Sequence, residues 1–308
     1  MVLLHRIVLF ALPQATQGTA AAHERITGGD AFLLTVNALG LIVLAAIVVR
    51  RLGRPDKLLL INTPPRHNHM GLIHIVALLL AQQLLGGLLV LATGLLLHQP
   101  VEHGGEPQAQ TLILGGILVN LATLAVVLAV GQAVFVRGLQ HGLGFTGRHW
   151  ICDSLRGGAA ALAVFPICTG LAWVSSKIVP ITHQHLHPLL QFVESEHHQP
   201  AWLCLGFLLA VGIAPVVEEA FFRGMIQSAL RRWLGGPWRA IFLTSLIFAL
   251  VHVDWSRLRG FEVVPPLLAL SITLGYNYER TGRLLPNMVT HALFNAVNII
   301  GAAWGTST

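Results

Sequence analysis

At 308 residues, 54% hydrophobic and only 10% charged, with a mean hydropathy of +0.70, the chain is excluded from the ordinary soluble class, in which about 25% of residues are charged. A net charge of +6 scattered over this length is too dilute for a nucleic-acid footprint. From three cysteines, Cys152, Cys168 and Cys204, with no CxxC pair, neither a disulfide framework nor a thiolate zinc site is expected, and each is expected to pack as a small residue in or beside an apolar run.

The composition and its apolar runs predict an all-α, polytopic transmembrane helix bundle of about eight helices. Residues 1–30 are expected to be a leader: "MVLLHRIVLFAL" followed by "TQGTAAAHE" has the basic start, short apolar core and small residues of a signal peptide, and reads equally as a short interfacial or poorly ordered segment. Spans are then expected at roughly 31–49, 72–97, 111–136 and 158–179, which make up an N-terminal transmembrane region to residue 199. The remaining spans fall near 201–230, 239–253, 263–279 and 287–304, within a C-terminal unit at 200–304. His74, in the second span, reads as a helix-packing histidine.

Basic residues mark alternate connections. Arg50, Arg51, Arg54, Lys57 and Arg66 follow the first span, and Arg137, Arg148 and Arg156 follow the third. Arg231, Arg232 and Arg239 follow the fifth, and Arg280 and Arg283 the seventh. By the positive-inside rule these connections face the cytoplasm. Two of the intervening connections, "HQPVEHGGEPQAQ" and "PITHQHLHPLLQFVESEHHQP", hold acids and histidines but no Lys or Arg, while Lys177, Arg257 and Arg259 break the pattern mildly, as long side chains that can snorkel. The second of these two connections reads as a solvated loop on the far side of the membrane from the predicted site, rather than as a metal site. The bilayer is therefore the first partner, and no nucleic acid is expected.

Ionisable groups inside spans are costly and mark function or tight pairing. Glu218 and Glu219 are adjacent in "APVVEEAFFRGM", so on a helix they diverge by about 100°. Arg223 follows Glu219 at i+4, the spacing of an intrahelical ion pair, which leaves Glu218 to project elsewhere. "FALVH" places Phe248 and His252 at i and i+4 on one helical face. "HALFN" does the same for His291 and Asn295, and Asn298 extends that stripe, suited to bonding a neighbouring helix.

Counted from the nearest basic residues, Glu218 and His252 lie roughly 20 Å and His291 roughly 12 Å inward from the same side. These groups can therefore meet inside the bilayer. A glutamate that takes a proton from water, a histidine that orients it, and His or Asn donors for an oxyanion make a hydrolytic set. Alternatively, Glu218, His252 and His291 ligate a metal such as zinc that activates the water. No HExxH helix is present.

In order, EExxxR, FxxxH and HxxxN, read here as "EEAFFR", "FALVH" and "HALFN", resemble the signature of the CPBP intramembrane proteases. These include the bacterial Abi proteins and the CAAX prenyl endopeptidases of the Ras-converting-enzyme type. The stretch "LGYNYERTGRLLPNMVTHALFN" is similar as well, so the likeness covers roughly 200–300. It implies Glu218 as general base, His252 as its assistant, and His291 with Asn295 at the oxyanion. Glu219, Arg223 and Phe248 would be supporting residues, with Arg223 also able to meet a substrate carboxylate.

The family has been described both as metal-dependent and as metal-free. The donor set here favours the metal-free form, since Asn is a poor zinc ligand. The implied substrate is a hydrophobic or lipidated peptide. The competing reading is a non-proteolytic immunity or scaffold protein that binds such a peptide. A proton-relay transporter would show inverted repeats, and none is seen in the sequence.

Overall fold

The computed structural model describes residues 27–52, 59–60, 63–99, 108–145, 149–178, 200–253, 255 and 260–305. The leader through residue 26 and the histidine-rich stretch at 179–199 lie outside the described residues.

The long apolar runs become helices: α1 (Gly28–Leu52), α2 (Leu72–Leu96), α3 (Ala109–Val134), the short α4 (Gly138–Leu143), α5 (Trp150–Ile178), α6 (Pro200–Leu234), α7 (Pro237–Leu250), α8 (Val264–Thr281) and α9 (Leu285–Gly305). No strand forms among the described residues. Among the described residues, only α1, α2, α3, α5 and α6 are long and apolar enough to span a membrane by themselves. The other three expected spans differ for physical reasons. α7 has 14 residues, about 21 Å of helix against a hydrocarbon thickness of about 30 Å. α8 and α9 carry buried Ser271, Glu279, Asn287, Thr290, His291, Asn295 and Asn298, which they spend on neighbouring helices or on their own backbone rather than on lipid. The protein is an integral membrane helix bundle whose last helices are sheltered by the first ones.

That shelter is specific. α1 packs on α5 and α9, with Gly40 lying directly against the Leu162 carbonyl and Pro166. α5 in turn crosses α9 at Gly157, where Thr290 Oγ1 donates to the Gly157 carbonyl at 3.0 Å. A methyl at Gly157 would lie 2.6 Å from the Pro286 carbonyl and 2.7 Å from Val289 Cβ. Gly157→Ala must therefore push α9 off α5. We expect it to lower unfolding stability in detergent by about 1–3 kcal/mol, read as an earlier thermal transition.

The connections after α1, α3, α6 and α8 gather at one end of the bundle. Asn68 forms an antiparallel bridge with Phe135, and its Nδ2 donates to the Ser228 carbonyl at 3.1 Å. Arg231 reaches the Thr63 carbonyl at 3.1 Å. Arg283 pairs with buried Asp153 at 2.7 Å, and Arg66 stacks on the Tyr278 ring at 3.5 Å. Several arginines read as orientation charges are thus also structural clasps.

The smaller expectations divide. Cys168 is buried and its thiol donates to the Pro266 carbonyl at 3.3 Å, but Cys152 and Cys204 face outward. His74 sits in the first turn of α2, where its Nδ1 accepts from the Gly71 N–H at 3.1 Å. It therefore serves as a helix cap. Asn298 bonds back to Phe294 O of its own helix at 2.8 Å instead of reaching a neighbour, because the carbonyl one turn back is already within its reach.

Candidate active site

α6 places the two glutamates, and it is not a uniform α-helix. Leu208–Ile213 and Ala220–Gln227 are π-helical, so Ala214–Glu219 is an α segment between two wide turns. The first wide turn follows from Pro215, which has no N–H to give. Ala214 N–H bonds Leu209 O, five residues back. The Ala210 carbonyl would take residue 214 in an α ladder or residue 215 in a π ladder, and so it is left without a backbone donor. Asn295 Nδ2 supplies one at 2.9 Å from α9. π-bulges of this kind recur at functional sites.

Glu218, Glu219, Arg223, His252, His291 and Asn295 are all buried. Glu219 and Arg223 pair within α6, with Nη1 2.9 Å from Oε1. The same Oε1 lies 3.0 Å from His291 Nδ1. An oxygen already held by a guanidinium acts as a carboxylate acceptor, so the proton of this second contact belongs on Nδ1. That assignment leaves the His291 Nε2 lone pair facing Glu218 Oε2, 3.8 Å away. The gap is too long for a direct hydrogen bond, and one water can bond both atoms. Glu218 Oε2 accepts no hydrogen bond from the described residues.

His252 lies just past the end of α7, in the turn after Leu250, rather than within the helix. Its Nδ1 is 2.6 Å from the Phe248 carbonyl. A carbonyl can only accept, so Nδ1 carries the proton and Nε2 the lone pair.

Phe248 joins the three motifs by packing. Its ring lies 4.6 Å from the His252 ring and 6.0 Å from the His291 ring, with the Arg223 guanidinium 4.8 Å from its centroid. A buried guanidinium over an aromatic face gains a cation–π attraction that offsets part of its lost hydration.

The motif residues alone do not account for Arg223. Ser271 on α8 accepts from Arg223 Nη2 at 2.7 Å through Oγ and at 3.3 Å through its carbonyl. One turn on, Gln227 Nε2 donates to the Gly275 carbonyl at 3.1 Å and to Glu279 Oε1 at 2.9 Å. Arg231 follows, 3.5 Å from Glu279. The matched order of these pairs shows that α6 and α8 run parallel. Sequence reasoning passed over Ser271. The available signal was the stripe Ser271, Gly275, Tyr278 and Glu279, small or polar positions on one face of an otherwise apolar helix. Hydrogen bonds to charged groups contribute about 1.5–3 kcal/mol. We expect Ser271→Ala to cost that much stability in a detergent melt and Ser271→Thr to restore most of it.

Among the described residues, no three His, Cys, Asp or Glu side chains converge into a metal-holding group. The proposed set of Glu218, His252 and His291 therefore does not fit the three protein ligands of a catalytic zinc in this geometry.

Residues 200–297, about a third of the chain, match the family model described as type II CAAX prenyl endopeptidase Rce1-like. This segment is similar to that family and contains all three motifs. Searches of curated proteins and of solved structures found no match to the chain.

Proposed function

We propose that this protein is an intramembrane endopeptidase that hydrolyses a membrane-associated or lipid-modified peptide with a water activated by Glu218. The observation that carries the reading is the relay Arg223–Glu219–His291 ending 3.8 Å from the Glu218 carboxylate. Water held between Glu218 Oε2 and His291 Nε2 gives up its proton to this pair as its oxygen attacks the scissile carbonyl. Glu219 fixes the His291 tautomer and favours the imidazolium if the proton comes to rest there, as a carboxylate does behind a catalytic histidine.

Asn295 gives one N–H to Ala210 O and keeps a second for the developing oxyanion. His252, packed on the Phe248 ring at 4.6 Å, completes the set and helps to orient the water. The arginine-rich end of the bundle faces the cytoplasm in this reading, and the substrate is cut toward that side. CAAX-type processing follows by analogy with the matched family.

The test uses purified full-length protein in detergent with quenched peptides, lipidated and unlipidated, before and after exhaustive chelation. Cleavage that prefers the lipidated peptides and survives chelation is expected. Loss of cleavage on chelation, restored by zinc, would overturn the metal-free water, and no cleavage of any peptide by folded protein would sink the protease reading.

A further inference from the structure

A surface cavity of about 520 Å³ opens beside α4 at the arginine-rich end, lined by residues that include Gln132, Arg137, Gln140, His141 and Phe145. Its lining contains an arginine and a histidine and no acid. The whole connection from Phe135 to Trp150 adds Arg148 and His149 and is likewise free of Asp and Glu. Val136, Phe145, Trp150 and Ile151, in or next to this connection, are exposed. Apolar and aromatic side chains beside cationic ones, at the end of membrane-spanning α3, are the mixture found where hydrocarbon meets headgroups.

The chain between the lining residues His141 and Phe145 is fixed against the bundle. Gly142, Leu143 and Gly144 are buried, the Tyr278 hydroxyl donates to the Leu143 carbonyl at 3.2 Å, and Leu284 N–H donates to the Gly144 carbonyl at 3.3 Å. Leu143 packs directly on Gly224, next to Arg223. Gly144, at φ +76°, lies against the Gly282 carbonyl, where no side chain fits.

We propose that this cavity binds the phosphate of an anionic lipid headgroup, with Arg137 as the charged contact and His141, Gln132 and Gln140 as hydrogen-bonding partners. The phosphate sits in the cavity while the acyl chains run down the exposed apolar face of α3. This goes beyond the proteolytic reading and does not depend on it.

The test is native mass spectrometry of the full chain in detergent with added dioleoyl phosphatidylglycerol or dioleoyl phosphatidylcholine. Wild type is expected to retain the anionic lipid about five-fold more strongly, the preference of roughly one well-placed cation at a headgroup. Arg137→Gln/His141→Gln is expected to lose that preference, and Arg137→Lys to keep it with an unchanged melting temperature. Equal retention of both lipids by wild type, or an unchanged preference in the double variant, would overturn the assignment. So would inorganic phosphate binding to wild type, but not to the double variant, in the absence of any lipid preference, because that pattern marks a free-anion site.

Discussion

Glu218→Gln is expected to lower kcat by about 10²–10⁴-fold, the range supplied by a positioned acid–base group. The substitution keeps the shape of the side chain and removes its capacity to hold a proton taken from water. Glu218 Oε2 accepts no hydrogen bond from the described residues, so the amide breaks no structural contact there. The melting temperature in detergent should therefore stay near wild type while turnover collapses, and KM should change little if the carboxylate acts on water rather than on the peptide. The reading fails if the folded variant cleaves at the wild-type rate. A variant that melts early as well as losing activity would instead make Glu218 a structural residue.

Arg223→Ala is the substitution expected to damage the fold most. Arg223 is wholly buried, paired with Glu219, bonded to Ser271 and stacked over Phe248. Its removal leaves an uncompensated carboxylate away from water, a change that costs about 3–5 kcal/mol. Replacing both partners with apolar side chains removes the stranded charge, and such swaps are often neutral or stabilising. Glu219→Leu/Arg223→Met should consequently recover most of the stability lost in Arg223→Ala, as measured by thermal unfolding in detergent. It should not recover activity, because His291 Nδ1 has lost the acceptor that fixes its tautomer. Recovery of both would show that the pair serves packing alone, and recovery of neither would show that Arg223 holds α6 to α8 chiefly through Ser271.

Much of the site was legible because helical periodicity is a local rule. The i, i+4 spacing of Glu219 and Arg223 is enough to pair them on α6, and the pair forms at 2.9 Å. The divergence of adjacent residues similarly sets Glu218 apart from Glu219. Less legible was the second role of Glu219, whose oxygen is shared with His291 from a helix 72 residues further along the chain. Spacing within a motif carries no information about which nitrogen of a histidine meets which carboxylate across two helices. His252 shows the same limit at short range: the sequence places it on the face of a continuing helix, but α7 stops two residues earlier and His252 instead caps the Phe248 carbonyl.

By itself the sequence determined the membrane class, the approximate positions of the five long apolar helices, and the order of the three motifs. These depend on hydropathy, charge and residue order, which are properties of neighbouring residues. The tertiary structure decided that Pro215 and a π turn expose the Ala210 carbonyl and that Asn295 fills it. It also decided that Ser271 anchors Arg223 and Asp153 anchors Arg283, and that His291 stands between two glutamates. Away from water, each of these polar groups needs a partner, and that partner lies on another helix, so only the packing of the helices could identify it.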